Sequence, residues 1–137
     1  MITTNCDGGS RGNPGKAAIG IVIRKDKNII KEHKEKIGIA TNNIAEYKAI
    51  IKTLELVKQI ETNEKNAKEI MCFLDSELIV KQLQGKYKVK DIKLKLLYDK
   101  VKELEKGFSK ITYKHVSRLD ENQQLADKLV NEALDEA

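Results

Sequence analysis

The sequence has no tryptophan, a single proline, two cysteines and no apolar run near the roughly 20 residues that a membrane span needs. Without such a run a helical membrane protein is excluded. The opening residues MITTNCDGG lack a charged-then-apolar leader, which predicts a chain that is not exported and works in the cytoplasm. Cys6 and Cys72 are each flanked by strand-like residues and read as small buried hydrophobes in a reducing compartment, so neither a disulfide framework nor redox chemistry is expected. No internal repeat or low-complexity segment divides the chain. Residues 1–137 therefore read as a single domain, able to bury roughly two-thirds of its unfolded surface. What the sequence does have is lysine: a net charge of +5, carried almost wholly by that residue, is compatible with a polyanionic partner without establishing one.

Two kinds of periodicity follow one another. Ile2 to Asp7, Ala17 to Asp26 and Ile29 to Gly38 read as strands, with a tight turn at Asp26 to Asn28, and their short links predict an antiparallel meander. Asn42 to Ile60 is a long amphipathic helix with Thr41 or Asn42 as its N-cap. Glu69 to Asp75 is a buried strand, expected to run parallel to its neighbour, and it leads into a short helix from Ser76 to Gln84. A helix from Asp91 to Lys106, a strand from Lys110 to Val116 and a helix from Glu121 to Leu134 complete the order βββαβααβα.

The stretch from Asp7 to Gly15, DGGSRGNPG, places one aspartate before Gly8, Gly9, Gly12 and Gly15, although each glycine loses backbone freedom on folding. Three more acids stand where packing alone would not put them. In the first helix the inward stripe Ile50, Thr53, Val57, Ile60 extends back one turn to Glu46, and in the last helix Val130 and Leu134 extend back to Asp127. Asp75 ends the buried strand as Asp7 ends the first. Taken singly, Asp75 could cap the next helix and Glu46 could answer a helix dipole. Taken together, acids directed inward are paired or metal-bound, because uncompensated burial costs several kcal/mol, and a hard-cation site is the better reading.

DGGSRGNPG (Asp7 to Gly15), TNNIAEYKAI (Thr41 to Ile50), LDSELIVKQLQG (Leu74 to Gly85) and ENQQLADKLVNEAL (Glu121 to Leu134) resemble, in order and with compatible spacing, the four signatures of the ribonuclease HI family. The resemblance spans the chain. It implies an α/β ribonuclease H-like fold: a five-stranded mixed sheet, strands one to three antiparallel and strands four and five parallel to the first, with helices on both faces. It also implies that Asp7, Glu46, Asp75 and Asp127 are metal-binding carboxylates for two Mg²⁺ ions, with Mn²⁺ as a substitute. Two such ions suit phosphodiester hydrolysis, since one side of phosphorus needs a nucleophilic water and the other a stabilised leaving oxygen. In the family-like assignment Asp7 bridges the ions, Asp75 and Asp127 serve the nucleophile side, and Glu46 the leaving-group side.

Substrate contacts are implied in the same way. The glycines would let backbone beside Asp7 lie against sugar and phosphate, and Asn13-Pro14-Gly15 would form a type II turn. Gly8, Gly9 and Ser10, with Glu46, resemble the family's contacts to the 2′-hydroxyl by which RNA is told from DNA. Asn13, Thr41, Asn42 and Asn43 resemble its polar contacts to the two strands; helix capping explains one of the last three. The run Lys86 to Lys95, KYKVKDIKLK, could track a phosphate backbone, although such runs are usually solvated faces.

Two departures stand out. The basic, aromatic-containing protrusion of better-known bacterial relatives is missing here. The segment Ser117 to Gln124 also lacks the loop histidine of many members, as in the archaeal-type form, and Arg118 is the cation that could take its place near the scissile phosphate. His115 shares a strand face with Ile111 and Tyr113 and reads as structural; Asp120 and Glu121 are weaker rivals to Asp127. The expected protein is a monomeric, Mg²⁺-dependent ribonuclease H that cuts the RNA strand of RNA–DNA hybrids without sequence preference. The alternatives are a broader nuclease acting on double-stranded RNA or DNA, and a catalytically weak hybrid-binding module.

Overall fold

A computed structural model describes residues 1–60 and 69–136. Its elements follow the expected order: β1 (Ile2–Gly12), β2 (Gly15–Lys25), β3 (Asn28–Ala40), α1 (Asn42–Ile60), β4 (Glu69–Leu74), α2 (Glu77–Leu83), α3 (Ile92–Glu105), β5 (Lys110–His115) and α4 (Glu121–Asp135). The five strands form one sheet in the order β3-β2-β1-β4-β5. β1, β2 and β3 are antiparallel, while β4 lies parallel to β1 and β5 parallel to β4, the mixed sheet that was expected.

Local chemistry accounts for the element ends. Thr41 caps α1, its Oγ1 accepting from the Ile44 N–H at 3.2 Å. Ser76 caps α2, Asp91 caps α3, and Asp120 caps α4 by accepting from the N–H groups of Asn122 and Gln123. Asp120, a rival to Asp127 in the sequence, is thus spent on its own helix. Between β2 and β3 the two-residue turn places Asp26 at φ 58°, a left-handed conformation that aspartate tolerates.

The first hairpin is longer than expected. β1 runs on to Gly12, which pairs with Gly15, and the Asn13–Pro14 bond between them is cis. Gly15 does not adopt the left-handed φ that the third position of a type II turn requires, so the turn anticipated there is replaced by one that closes on Pro14.

Residue alternation sorts β1 onto two faces. Cys6 and Gly8 face α1, where Ile21, Ile23, Tyr47, Ile50, Leu54, Ile70, Ile79 and Val101 make the main core. Asn5, Asp7 and Gly9 face α4, where Ala18, Val130 and Ala133 form a smaller apolar cluster. Ile50, Thr53 and Val57 are buried as the helix period predicted, whereas Ile60 emerges at the helix end. Each helix layer therefore meets β1, the central strand, from its own side. No helix among the described residues is long and apolar enough to cross a membrane.

Candidate active site

Two glycines decide how closely the helices approach Asp7. A Cβ at Gly8 would lie 2.3 Å from the backbone carbonyl of Ala45 and 2.6 Å from the backbone nitrogen of Glu46. Only a bare Cα lets α1 rest against β1 at that point, and the residue so delivered is Glu46. Gly20 is the register partner of Asp7, and a Cβ there would lie 2.3 Å from the Ala126 carbonyl oxygen. That close crossing brings α4 onto the sheet one residue before Asp127. The absence of a side chain at Gly8 thus serves packing against α1. At Gly9 a Cβ would make only ordinary contact, 3.6 Å from Val130.

Asp75 arrives from a third direction. It follows the last residue of β4, and the Val116 N–H donates to the Leu74 carbonyl at 2.9 Å, so the chain leaving β5 passes beside it. Two residues on, Arg118 joins the wall of an open cavity of about 350 Å³ that is also lined by Asp7, Gly8, Gly9, Asn42, Glu46, Asp75, Ser76 and Asp127. Carboxylate oxygens of Asp7, Glu46 and Asp75 lie within 4.8 Å of one another. Asp127 stands outside that tightest group, and its Oδ2 accepts from the Asn131 amide at 3.4 Å.

These acids repel one another and are partly withdrawn from water. Burial first, then the charges of Asp75, Glu46 and Asp127, push the Asp7 carboxyl up to about 8. Burial and the Asp75 charge push Glu46 up to about 7, a rise opposed by a hydrogen bond from Ser76. Burial likewise raises Asp75, opposed by the positive charge of Arg118. Neighbouring oxygen donors that bind protons this tightly are a donor set suited to a hard divalent cation, which would relieve the repulsion without cysteine or histidine ligands.

A second depression of about 740 Å³ adjoins the first along α1 and is lined by Asn13, Thr41, Asn42, Asn43, Ile44, Asp91, Ile92, Lys93 and Leu94. Asn42 forms one wall of both. Its Oδ1 accepts from the Ser10 N–H at 2.9 Å, and its own N–H donates to Asn13 Oδ1 at 3.0 Å, so the first hairpin is latched to the start of α1.

The Reverse transcriptase-like family matches residues 5–133 of the chain. A crystal structure of ribonuclease H1 from the archaeon Halobacterium salinarum superposes with a TM-score of 0.90 at 39% identity, over 99% of this chain and 98% of that one. The chain belongs to the ribonuclease H family. LC11-RNase H1, solved in complex with an RNA/DNA hybrid, superposes with a TM-score of 0.91 at 39% identity, over 98% of this chain and 97% of that one. Among curated sequences, ribonuclease HI of Halobacterium salinarum is 40% identical over 96% of this chain and 63% of its own length. A bifunctional protein of Mycobacterium tuberculosis is 38% identical over 99% of this chain and 36% of its own length. The chain thus spans between about a third and just under two-thirds of these curated relatives.

Within this ribonuclease H framework, the residues expected from the sequence separate into groups. Asp7, Glu46, Asp75, Asp127 and Arg118 share one cavity with Gly8, Gly9 and Asn42. Asn13, Thr41 and Asn43 line the adjoining one, together with Lys93 of the lysine run. Ser10 sits between them on the latch. His115, read as structural on the strand face of Ile111 and Tyr113, is the last residue of β5 and is exposed. Two residues of the site were missed by sequence reasoning. Ser76 was placed in its helix, but its influence on Glu46 has no sequence signal; Gln123 was passed over, although a glutamine four residues before Asp127 shares its helix face.

Proposed function

We propose that this chain is a metal-dependent endonuclease that hydrolyses the RNA strand of RNA–DNA hybrids, leaving 5′-phosphate and 3′-hydroxyl ends. The observation that carries this reading is the convergence of Asp7, Glu46 and Asp75, from three separate elements, on one open cavity that Asp127 and Arg118 also line. Asp7, Glu46, Asp75 and Asp127 would hold two Mg²⁺ ions, or Mn²⁺ in their place. Bound there, such ions supply an activated water and neutralise the charge that develops on the leaving oxygen.

The protein's own residues do the rest. Arg118 is the cation on the cavity wall, where it offsets the acids and is available to a non-bridging phosphate oxygen. Backbone at Gly8, Gly9 and Ser10 meets the ribose and its 2′-hydroxyl. Asn13 and Asn42 engage each other and Ser10 through their side-chain oxygens, which leaves their Nδ2 donors for phosphate, and Thr41 and Asn43 extend that polar wall. Lys93, with the exposed lysines before it, adds positive charge along the same side. None of these groups reads a base edge, so recognition is independent of sequence. The relative solved with an RNA/DNA hybrid supports this substrate. The chain would act as one ribonuclease H-like domain, a cytoplasmic monomer.

The test is cleavage of an end-labelled hybrid, beside double-stranded RNA and DNA, with and without Mg²⁺. Metal-dependent cutting of the hybrid's RNA strand, lost in Asp7→Asn, is the expected result. Equal cutting of double-stranded RNA would replace it with a broader nuclease, and binding without cutting would make the chain a hybrid-binding module.

A further inference from the structure

Behind the acids lies a chain of buried polar side chains that the proposed chemistry does not use. Gln123, in the first turn of α4, is fully buried, as are Asn5 and nearly all of Arg24. The Arg24 guanidinium donates to Asn5 Oδ1 at 2.9 Å, Asn5 Nδ2 donates to Gln123 Oε1 at 3.0 Å, and Gln123 Nε2 donates to the Cys6 carbonyl at 2.9 Å. Burying an amide is unfavourable unless its groups are paired, and here every step of the string is paired.

The direction of the string is forced from both ends. A guanidinium only donates, so the oxygen of Asn5 must face Arg24 and its nitrogen must face Gln123. That turns the Gln123 oxygen toward Asn5 and its nitrogen toward Cys6, whose carbonyl only accepts. The same Gln123 side chain also acts on Asp75, lowering its carboxyl against the rise that burial imposes. One carboxamide on α4 therefore holds the peptide immediately before Asp7 and stabilises the charged form of Asp75, while Asp127 lies one turn further along the same helix.

We infer that Gln123 is a positioning residue, which ties α4 to β1 beside Asp7 and orients Asp75, and that Arg24, through Asn5, sets the direction in which it donates. This rests on the metal-site reading above. Its role is to hold three of the four acids in register while they repel one another. An apolar side chain could fill the same volume but could not choose an orientation for a carboxylate.

The test uses the full chain and Mn²⁺ alone, followed by calorimetry without nucleic acid and by steady-state cleavage. Gln123→Met keeps volume and removes both donors. Loss of an outer partner of a metal ligand weakens affinity by about 10- to 100-fold, and Gln123→Met is expected at the lower end of that range. Its kcat should fall in parallel, with KM for the hybrid within about twofold, because no substrate contact is removed. Unchanged Mn²⁺ affinity and kcat with a lowered melting point would overturn the inference and leave Gln123 a structural rivet. If Gln123→Met does not fold, Arg24→Met decides: a weaker loss of Mn²⁺ affinity in the same direction supports the string, and wild-type affinity overturns it. A wild-type chain that neither binds Mn²⁺ nor cuts hybrid would overturn the metal reading itself, a failure distinct from one confined to the variants.

Discussion

Two polar clusters meet the N-terminal half of α1, and they are built in opposite ways. In the latch of Ser10, Asn13 and Asn42, backbone N–H donors meet side-chain oxygen acceptors within the protein. In the cavity beside it, Asp7, Glu46 and Asp75 present acceptors to one another, and their protons are held more tightly than in water. A matched cluster contributes to holding the fold, whereas an unmatched one stores repulsion that a bound cation can release. The contrast marks the acids as the place where chemistry would happen and the latch as the device that fixes the wall next to it.

Breaking the unmatched cluster should have the largest effect. Asp7→Asn is expected to lower kcat by about three orders of magnitude or more, measured by single-turnover cleavage of a labelled hybrid, since Asp7 is placed against every other acid of the site. Arg118→Ala should lower kcat by about 10²-fold, the usual loss on removing one group that faces developing charge. Turnover equal to wild type would remove Arg118 from the mechanism.

The repulsion itself should be visible without substrate. Asp7 holds its proton up to about pH 8 and Glu46 up to about 7, whereas an unfolded carboxyl releases it near 4. Between those limits the folded chain binds more protons than the unfolded one, so stability is greatest at the acidic end of the window and falls as pH rises through it. In EDTA the melting temperature is therefore expected to drop by roughly 5 °C or more between pH 5 and 8, and Mn²⁺ should flatten that slope by taking the place of the protons. A melting temperature that rises with pH in EDTA would show that the acids are compensated from within.

Disturbing the matched cluster should matter least. Asn42→Ala removes the acceptor for the Ser10 N–H and is expected to destabilise by about 1 kcal/mol, with KM for the hybrid raised a few-fold and kcat nearly unchanged. A collapse of kcat as large as that of Asp7→Asn would erase the distinction between the two clusters.

Most of this was legible in the one-dimensional order of residues. Alternation and helical period located all nine elements among the described residues, because a strand or helix that buries one face must repeat its apolar residues at that element's own period. The same reasoning found Glu46 and Asp127, since an acid in line with an apolar stripe is conspicuous. The type II turn was misjudged because the φ of Gly15 is set by its pairing with Gly12 across the hairpin, which local sequence does not show. Alternation gave His115 a strand face but not its exposure, because a face at the strand's end has fewer neighbours to cover it.

What the sequence by itself determined is the periodic and the local: which segments are strands and helices, and which acids head inward. Tertiary structure alone decided the distances between segments far apart in the chain. Gly8 and Gly20 are ordinary glycines until α1 and α4 are laid across them, and Gln123 is an ordinary helix residue until Asn5, some 118 positions earlier, faces it across the sheet. Periodicity is a property of neighbours, so it can be read along the chain. Close approach and hydrogen-bond direction are properties of pairs, which exist only once the sheet has brought their members together.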